Sequence, residues 1–128
     1  MSMILLLAVA GAAGTLSRYG LGGLAQRITG AGFPYGTLVI NLLGCLVIGY
    51  TMQIALNTDI IPETARVVVT IGFLGAFTTF STFSYETVRL FEDGAWVPAV
   101  LNIATNVGLG LAATLLGKLL GRITLGGV

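Results

Sequence analysis

Five hydroxyl side chains crowd the stretch from Thr78 to Ser84, namely Thr78, Thr79, Ser81, Thr82 and Ser84, and two phenylalanines, Phe80 and Phe83, stand among them. An aromatic ring is negative on its face and positive at its edge. Ring edges turned toward a narrow passage, joined by hydroxyls and amide N–H groups, would carry a small anion without any formal positive charge. Several weak sites in a row let an ion both enter and leave. The amides are available elsewhere: Asn41 lies one helical turn after Thr37, and Asn102 and Asn106 lie one turn apart. Each offers an NH₂ donor that close packing alone does not require. The competing reading is structural, with hydroxyls bonded back to their own helix and Asn acting as interhelical glue.

Charged groups near this cluster are few. Thr79, Thr82, Glu86 and Arg89 recur at helical spacing and make one polar stripe. Glu86 is the only acidic residue well inside an apolar stretch. It invites a proton-coupled reading, but the plainer expectation is an ion pair with Arg89 one turn away. Arg18, between Ser17 and Tyr19, either draws anions to a vestibule or snorkels to lipid headgroups.

Other chemistries drop out. The chain has no histidine, so the commonest general base and the commonest metal ligand are absent. Its one cysteine, Cys45, lies among Leu43, Leu46 and Val47; it has no disulfide partner and no base to activate it. No G-x-x-x-x-G-K pattern is present to hold a nucleotide phosphate. A net charge of +1 leaves no basic footprint for nucleic acid. An enzyme is therefore not expected.

The elements that must hold the cluster follow from where charge is missing. The 128 residues are 55% hydrophobic and 9% charged, with mean hydropathy +0.97, whereas a soluble domain is usually about 25% charged. Positions 1–17, 28–58, 67–85 and 94–117 carry no charge, and a membrane-spanning helix takes roughly 20 apolar residues. We expect one all-α membrane domain over 1–128, with spans at about 3–24, 36–56, 63–91 and 96–121. Gly22-Gly23 should end the first span, and Asn57-Thr58-Asp59, Pro62 and Glu92-Asp93-Gly94 should mark turns. The first span resembles a signal peptide at Ala8-Val9-Ala10 but lacks a positive leader segment, so it should stay uncleaved. Tyr35, Tyr50 and Trp96 fall near span ends, where aromatic residues favour the bilayer interface.

Within span three, Gly72 and Gly75 precede the hydroxyl cluster. Glycine costs about 1 kcal/mol relative to alanine in a helix, and hydroxyls compete for backbone partners. A break is expected between Gly75 and Thr79, where exposed carbonyls could coordinate a cation. Small residues line the other spans, with Gly11, Gly14 and Gly22 in the first and Ala113, Gly117 and Gly121 in the fourth, as close helix approach in a membrane requires.

With four spans, Arg66, Lys118 and Arg122 fall on one side of the membrane and Arg18, Arg27 and Arg89 on or toward the other. Three against three leaves no positive-inside bias. The expectation is insertion in both orientations, and from it an antiparallel homodimer.

Gly72-Phe73-Leu74-Gly75 followed by Thr78-Thr79-Phe80-Ser81-Thr82-Phe83-Ser84, with Pro34-Tyr35-Gly36-Thr37-Leu38-Val39 running to Asn41 upstream, resembles the Fluc (CrcB) fluoride-channel family over nearly the whole chain. The resemblance implies a multi-pass protein of the cell (plasma or inner) membrane, a dual-topology antiparallel homodimer in lipid, with two fluoride pores. It implies a central sodium ion, structural and not transported, held by the backbone carbonyls of Gly75 and Thr78 from each subunit. Carried over by position, Asn41, Phe80 and Phe83 line the pore, Ser81, Thr82 and Thr114 belong to a polar track, and Arg18 and Thr37 lie on the approach. Ala76 stands where many relatives have glycine, and Asn102 and Asn106 stand at variable positions, with Asn106 assigned to the pathway as a hypothesis. The runner-up is a small proton-coupled multidrug exporter, but such a protein should carry a membrane carboxylate in its first span, and this one has none there.

Overall fold

A computed structural model describes residues 1–127. The described residues form a bundle of four helices, each long and apolar enough to cross a membrane: α1 (Met3–Thr29), α2 (Tyr35–Asn57), α3 (Glu63–Glu92) and α4 (Trp96–Thr124).

Helix α1 starts at Ser2, whose hydroxyl accepts the Leu5 N–H at 3.3 Å. It runs past Gly22-Gly23 and stops at Gly30, whose φ of 91° suits glycine. The glycine pair does not end it because Gly22 serves packing. A Cβ on Gly36 of α2 would come within 2.4 Å of the Gly22 carbonyl oxygen, so the two helices cross nearly backbone to backbone. Gln26 then ties the connection down. Its Nε2 donates to the carbonyls of Gly30 and Phe33, and its Oε1 accepts the Gly36 N–H at 3.0 Å.

Helix α2 is the central element. Gly49 lies against the Thr114 carbonyl and Gly117 against the Leu46 carbonyl, where a Cβ would approach to 2.2 and 2.1 Å. The small-residue stripe of α4 thus seats on α2 through Gly117 and Gly121. On the other flank, Gly14 of α1 lies against the Phe73 carbonyl of α3, and Gly72 of α3 lies against Ala10.

Helix α3 is broken, as expected, but not by its glycines. Gly72 lies in a π-helical segment, Val68–Leu74, and Gly75 opens a last helical turn, Gly75–Phe77. Gly72 makes room for Ala10, and neither glycine bends the chain by itself. The chain leaves the helix at Thr78 (φ −88°, ψ 158°) and Thr79 (φ −148°, ψ 117°), and a second limb runs from Phe80 to Glu92. Ala76 is helical and packs toward Gly14, so the break begins after it. A second π-helical segment, Thr105–Leu109, lies within α4 opposite the break. Such segments concentrate at functional sites. The turn between α3 and α4 closes at Gly94, φ 74°, with Phe91 and Trp96 edge to face at 5.1 Å.

Most large apolar side chains face outward: Leu16, Ile28, Ile71, Trp96, Val97, Leu111 and Leu115 are all exposed. A soluble chain would bury them, whereas lipid accepts them.

Candidate functional site

The break in α3 is held by a side chain from α2. Asn41 Oδ1 accepts the Thr79 N–H at 2.8 Å, and Asn41 Nδ2 donates to the Thr79 carbonyl at 3.2 Å and to Asn106 Oδ1 at 3.1 Å. One amide thereby replaces both backbone partners that Thr79 loses on leaving the helix. Gly44, one turn below Asn41, leaves the space that the Thr78 methyl occupies; a Cβ there would come within 2.1 Å of it.

Thr79 also restarts the helix. Its Oγ1 accepts the Thr82 N–H at 3.3 Å and donates to Thr82 Oγ1 at 3.0 Å, with Ser81 Oγ at 3.5 Å. The hydroxyl cluster is thus a cap and a short hydroxyl chain, more than a set of back-bonded side chains. Just beyond it Phe80 and Phe83 meet edge to face, centroids 5.6 Å apart. Phe83 is buried and Phe80 is 79% exposed, so one ring is fixed by the bundle and the other stands at its surface.

Two cavities meet at Thr79. The larger, about 690 Å³, takes Arg18, Thr37, Thr82 and Glu86 into its walls. The smaller, about 400 Å³, takes Asn41, Phe80, Phe83 and Asn106, together with Gly75 and Thr78. Most of the candidate residues therefore gather around one break. Thr114 does not: it lies with Gly49 and Lys118 in a separate cavity, its hydroxyl bonded to the Gly110 carbonyl at 3.1 Å. Ser81 is exposed and touches the cluster through Thr79 alone.

Glu86 is not paired with Arg89. Its Oε1 accepts the Thr37 hydroxyl at 2.6 Å across helices α2 and α3, and Oε2 is buried without a partner. Arg89 turns instead to Glu92 at 3.7 Å and Asp93 at 3.9 Å. The i, i+3 spacing allowed the Glu86 pair, but the neighbouring helix supplied a closer donor from 49 positions away in the chain. Arg18 makes no ion pair among the described residues and opens onto the larger cavity.

Spacing identified the Asn pair in α4, but not what it joins. Asn106 Nδ2 donates to Asn102 Oδ1 at 3.0 Å, and Asn102 Nδ2 donates to Thr87 Oγ1 at 2.9 Å. Asn102 is 0% exposed. Thr87 drew no attention as a sequence position because nothing in its spacing separates it from the other hydroxyls of α3.

Among the described residues no group of three or more His, Cys, Asp or Glu could hold a metal. Backbone oxygens are a different matter. In an unbroken helix the Thr79 N–H would serve the Gly75 carbonyl and the Thr82 N–H would serve the Thr78 carbonyl. Here the first goes to Asn41 Oδ1 and the second to Thr79 Oγ1. The Gly75 and Thr78 carbonyls thus lose their helical donors together. That donor set, neutral oxygens at an unwound turn, fits a sodium ion.

A family described as "CrcB-like protein, Camphor Resistance (CrcB)" matches residues 5–118. The chain is 49% identical to the "Fluoride-specific ion channel FluC" of Dehalococcoides mccartyi over 123 residues, 96% of this chain and 95% of the relative. It is 48% identical to the protein so named in Geobacter metallireducens, covering 95% of this chain and 98% of that one. A third so named, from Nitratidesulfovibrio vulgaris, is 46% identical over 96% of this chain and 99% of its own length.

Proposed function

This chain belongs to the CrcB family, and we propose that it is a fluoride-specific ion channel that exports fluoride passively from the cytoplasm. It is a channel and not an enzyme. The observation that carries the reading is the meeting of the two cavities at Thr79, beside the Phe80 and Phe83 edge contact. Relatives that match over nearly full length and are named for the same ion support it.

In this reading fluoride gathers in the larger cavity near Arg18 and Thr37, passes the hydroxyls of Thr82 and Ser81, and is received by the edges of Phe80 and Phe83 near Asn41. Both Asn41 N–H bonds are already used, so the amide serves an ion only by releasing the Thr79 carbonyl or Asn106. Weak, exchangeable partners of this kind suit conduction better than one tight site. Thr114 and the exposed Ser81 would complete a path together with residues of a second chain. That follows if two copies pair antiparallel and enclose two pores in the cell membrane. The Gly75 and Thr78 carbonyls of both copies would hold a central sodium ion, which supplies a fixed positive charge tying the broken helices together.

No energy source is needed. A potential of 100 mV contributes about 2.3 kcal/mol per charge, which at about 1.4 kcal/mol per decade sustains a roughly 40-fold gradient of an anion driven from a negative interior.

The test is fluoride efflux from proteoliposomes holding the purified chain in sodium buffer. We expect efflux far faster than from empty liposomes, and chloride retained. Efflux equal to the empty control rejects the channel. Proton-driven substrate uptake without fluoride efflux would favour the exporter reading instead.

A further inference from the structure

We propose that Asn106, Asn102 and Thr87 are positioning residues: they set the orientation of the Asn41 amide and through it hold α3 open at Thr79. The four side chains form a ladder across three helices whose direction is fixed from both ends. At one end Thr87 donates its hydroxyl to the Phe83 carbonyl at 2.7 Å and is left as an acceptor. Asn102 must therefore present Nδ2 to Thr87, at 2.9 Å, and Oδ1 to Asn106. Asn106 then presents Nδ2 to Asn102, to its side-chain Oδ1 at 3.0 Å and to its backbone carbonyl at 2.9 Å, which fixes the same orientation, and presents Oδ1 to Asn41, at 3.1 Å. Asn41 is left with Nδ2 toward Asn106 and Oδ1 toward the Thr79 N–H.

The other end makes the same demand independently, because a backbone N–H can only donate. Turning any one amide over would set NH₂ against NH₂, or oxygen against oxygen, around the fully buried Asn102. An unsatisfied polar group there is strongly unfavourable. The ladder thus carries the geometry of an α3–α4 contact into the α2–α3 clamp. That clamp diverts the Thr79 N–H from the Gly75 carbonyl. Asn106 and Asn102 act on the break through Asn41, whichever ion passes beside it.

The experiment reads the break itself and not transport. Hydrogen exchange of the Thr79 backbone amide is followed by NMR in the full-length, ¹⁵N-labelled protein in lipid bicelles. Asn106→Leu removes the acceptor that orients Asn41, and Thr79 exchange is expected to rise about tenfold, with α1 amides unchanged. Thr87→Val is nearly isosteric and keeps the fold where the leucine variant does not. It should raise Thr79 exchange in the same direction by a smaller factor, while Thr87→Ser, which keeps the hydroxyl, stays at the native rate. Native exchange at Thr79 in either Asn106→Leu or Thr87→Val overturns the proposal. Equal effects of valine and serine at position 87 overturn it as well, since they would mark a packing effect.

Discussion

At the scale of single residues, Asn41 has the largest part, since three hydrogen bonds converge on its amide and two of them replace lost helical partners. Asn41→Leu leaves the Thr79 N–H and carbonyl unpaired at membrane depth. We expect it to lower stability by about 2–4 kcal/mol, read as thermal unfolding in detergent, and to abolish efflux; native unfolding would mean the clamp is dispensable. The two rings should separate in a different way. Phe80→Ile and Phe83→Ile are both expected to cut fluoride efflux at least about tenfold. Only Phe83→Ile removes a ring buried to 8% exposure, so it should also cost about 1–2 kcal/mol of stability. Normal efflux in both variants rejects their part in the path. The amides and rings were legible in the sequence because an Asn or a crowd of hydroxyls is conspicuous in an apolar span. The Thr37 to Glu86 bond was not, because it joins two helices and leaves no periodic trace in either.

At the scale of the element, α3 shows where pattern and geometry part. Two glycines and a run of hydroxyls announced an interruption, and one occurs at Thr78 and Thr79. The glycines themselves stay helical or π-helical, and the turn that opens is the one for which α2 supplies an amide. Gly44 is the complementary half of that fit. Gly44→Ala drives a Cβ against the Thr78 methyl and should lose about 1–3 kcal/mol. Adding Thr78→Ser removes that methyl and should recover most of the loss. A double variant as unstable as Gly44→Ala would show that the contact is not the cause. The same reasoning explains why α1 passes Gly22-Gly23 unbroken: Gly22 is needed for the approach of Gly36, and the stop lies at Gly30.

At the scale of the whole molecule, most charges sit toward the ends of the helices, with Arg18 and Glu86 set farther in, and large apolar side chains cover the outside. The larger cavity opens where Arg18, Arg27 and Glu86 gather, toward one end of the bundle. Three basic residues lie on or toward each side, and we expect both orientations in one membrane. A single cysteine placed at the C-terminus, with Cys45→Ser, should label from both faces of intact cells. Labelling from one face alone rejects dual insertion and with it the antiparallel pair. If sodium joins the two copies, replacing it with a large organic cation should reduce efflux reversibly, whereas flux indifferent to the cation would remove the ion from the assembly.

The sequence by itself determined that the chain is four apolar helices, that the third is interrupted near its hydroxyl cluster, and which family it resembles. The first two follow from composition and local spacing, which act within one helix, and the resemblance rests on the particular residues of the Gly72–Ser84 and Pro34–Asn41 strings. Tertiary structure decided which helical turn opens, which partner Glu86 takes, and that Asn41, Asn106, Asn102 and Thr87 share one directed ladder. A buried polar group must find its partner wherever the packed helices bring one, and that choice is made between helices, where spacing along a single strand of residues has nothing to say.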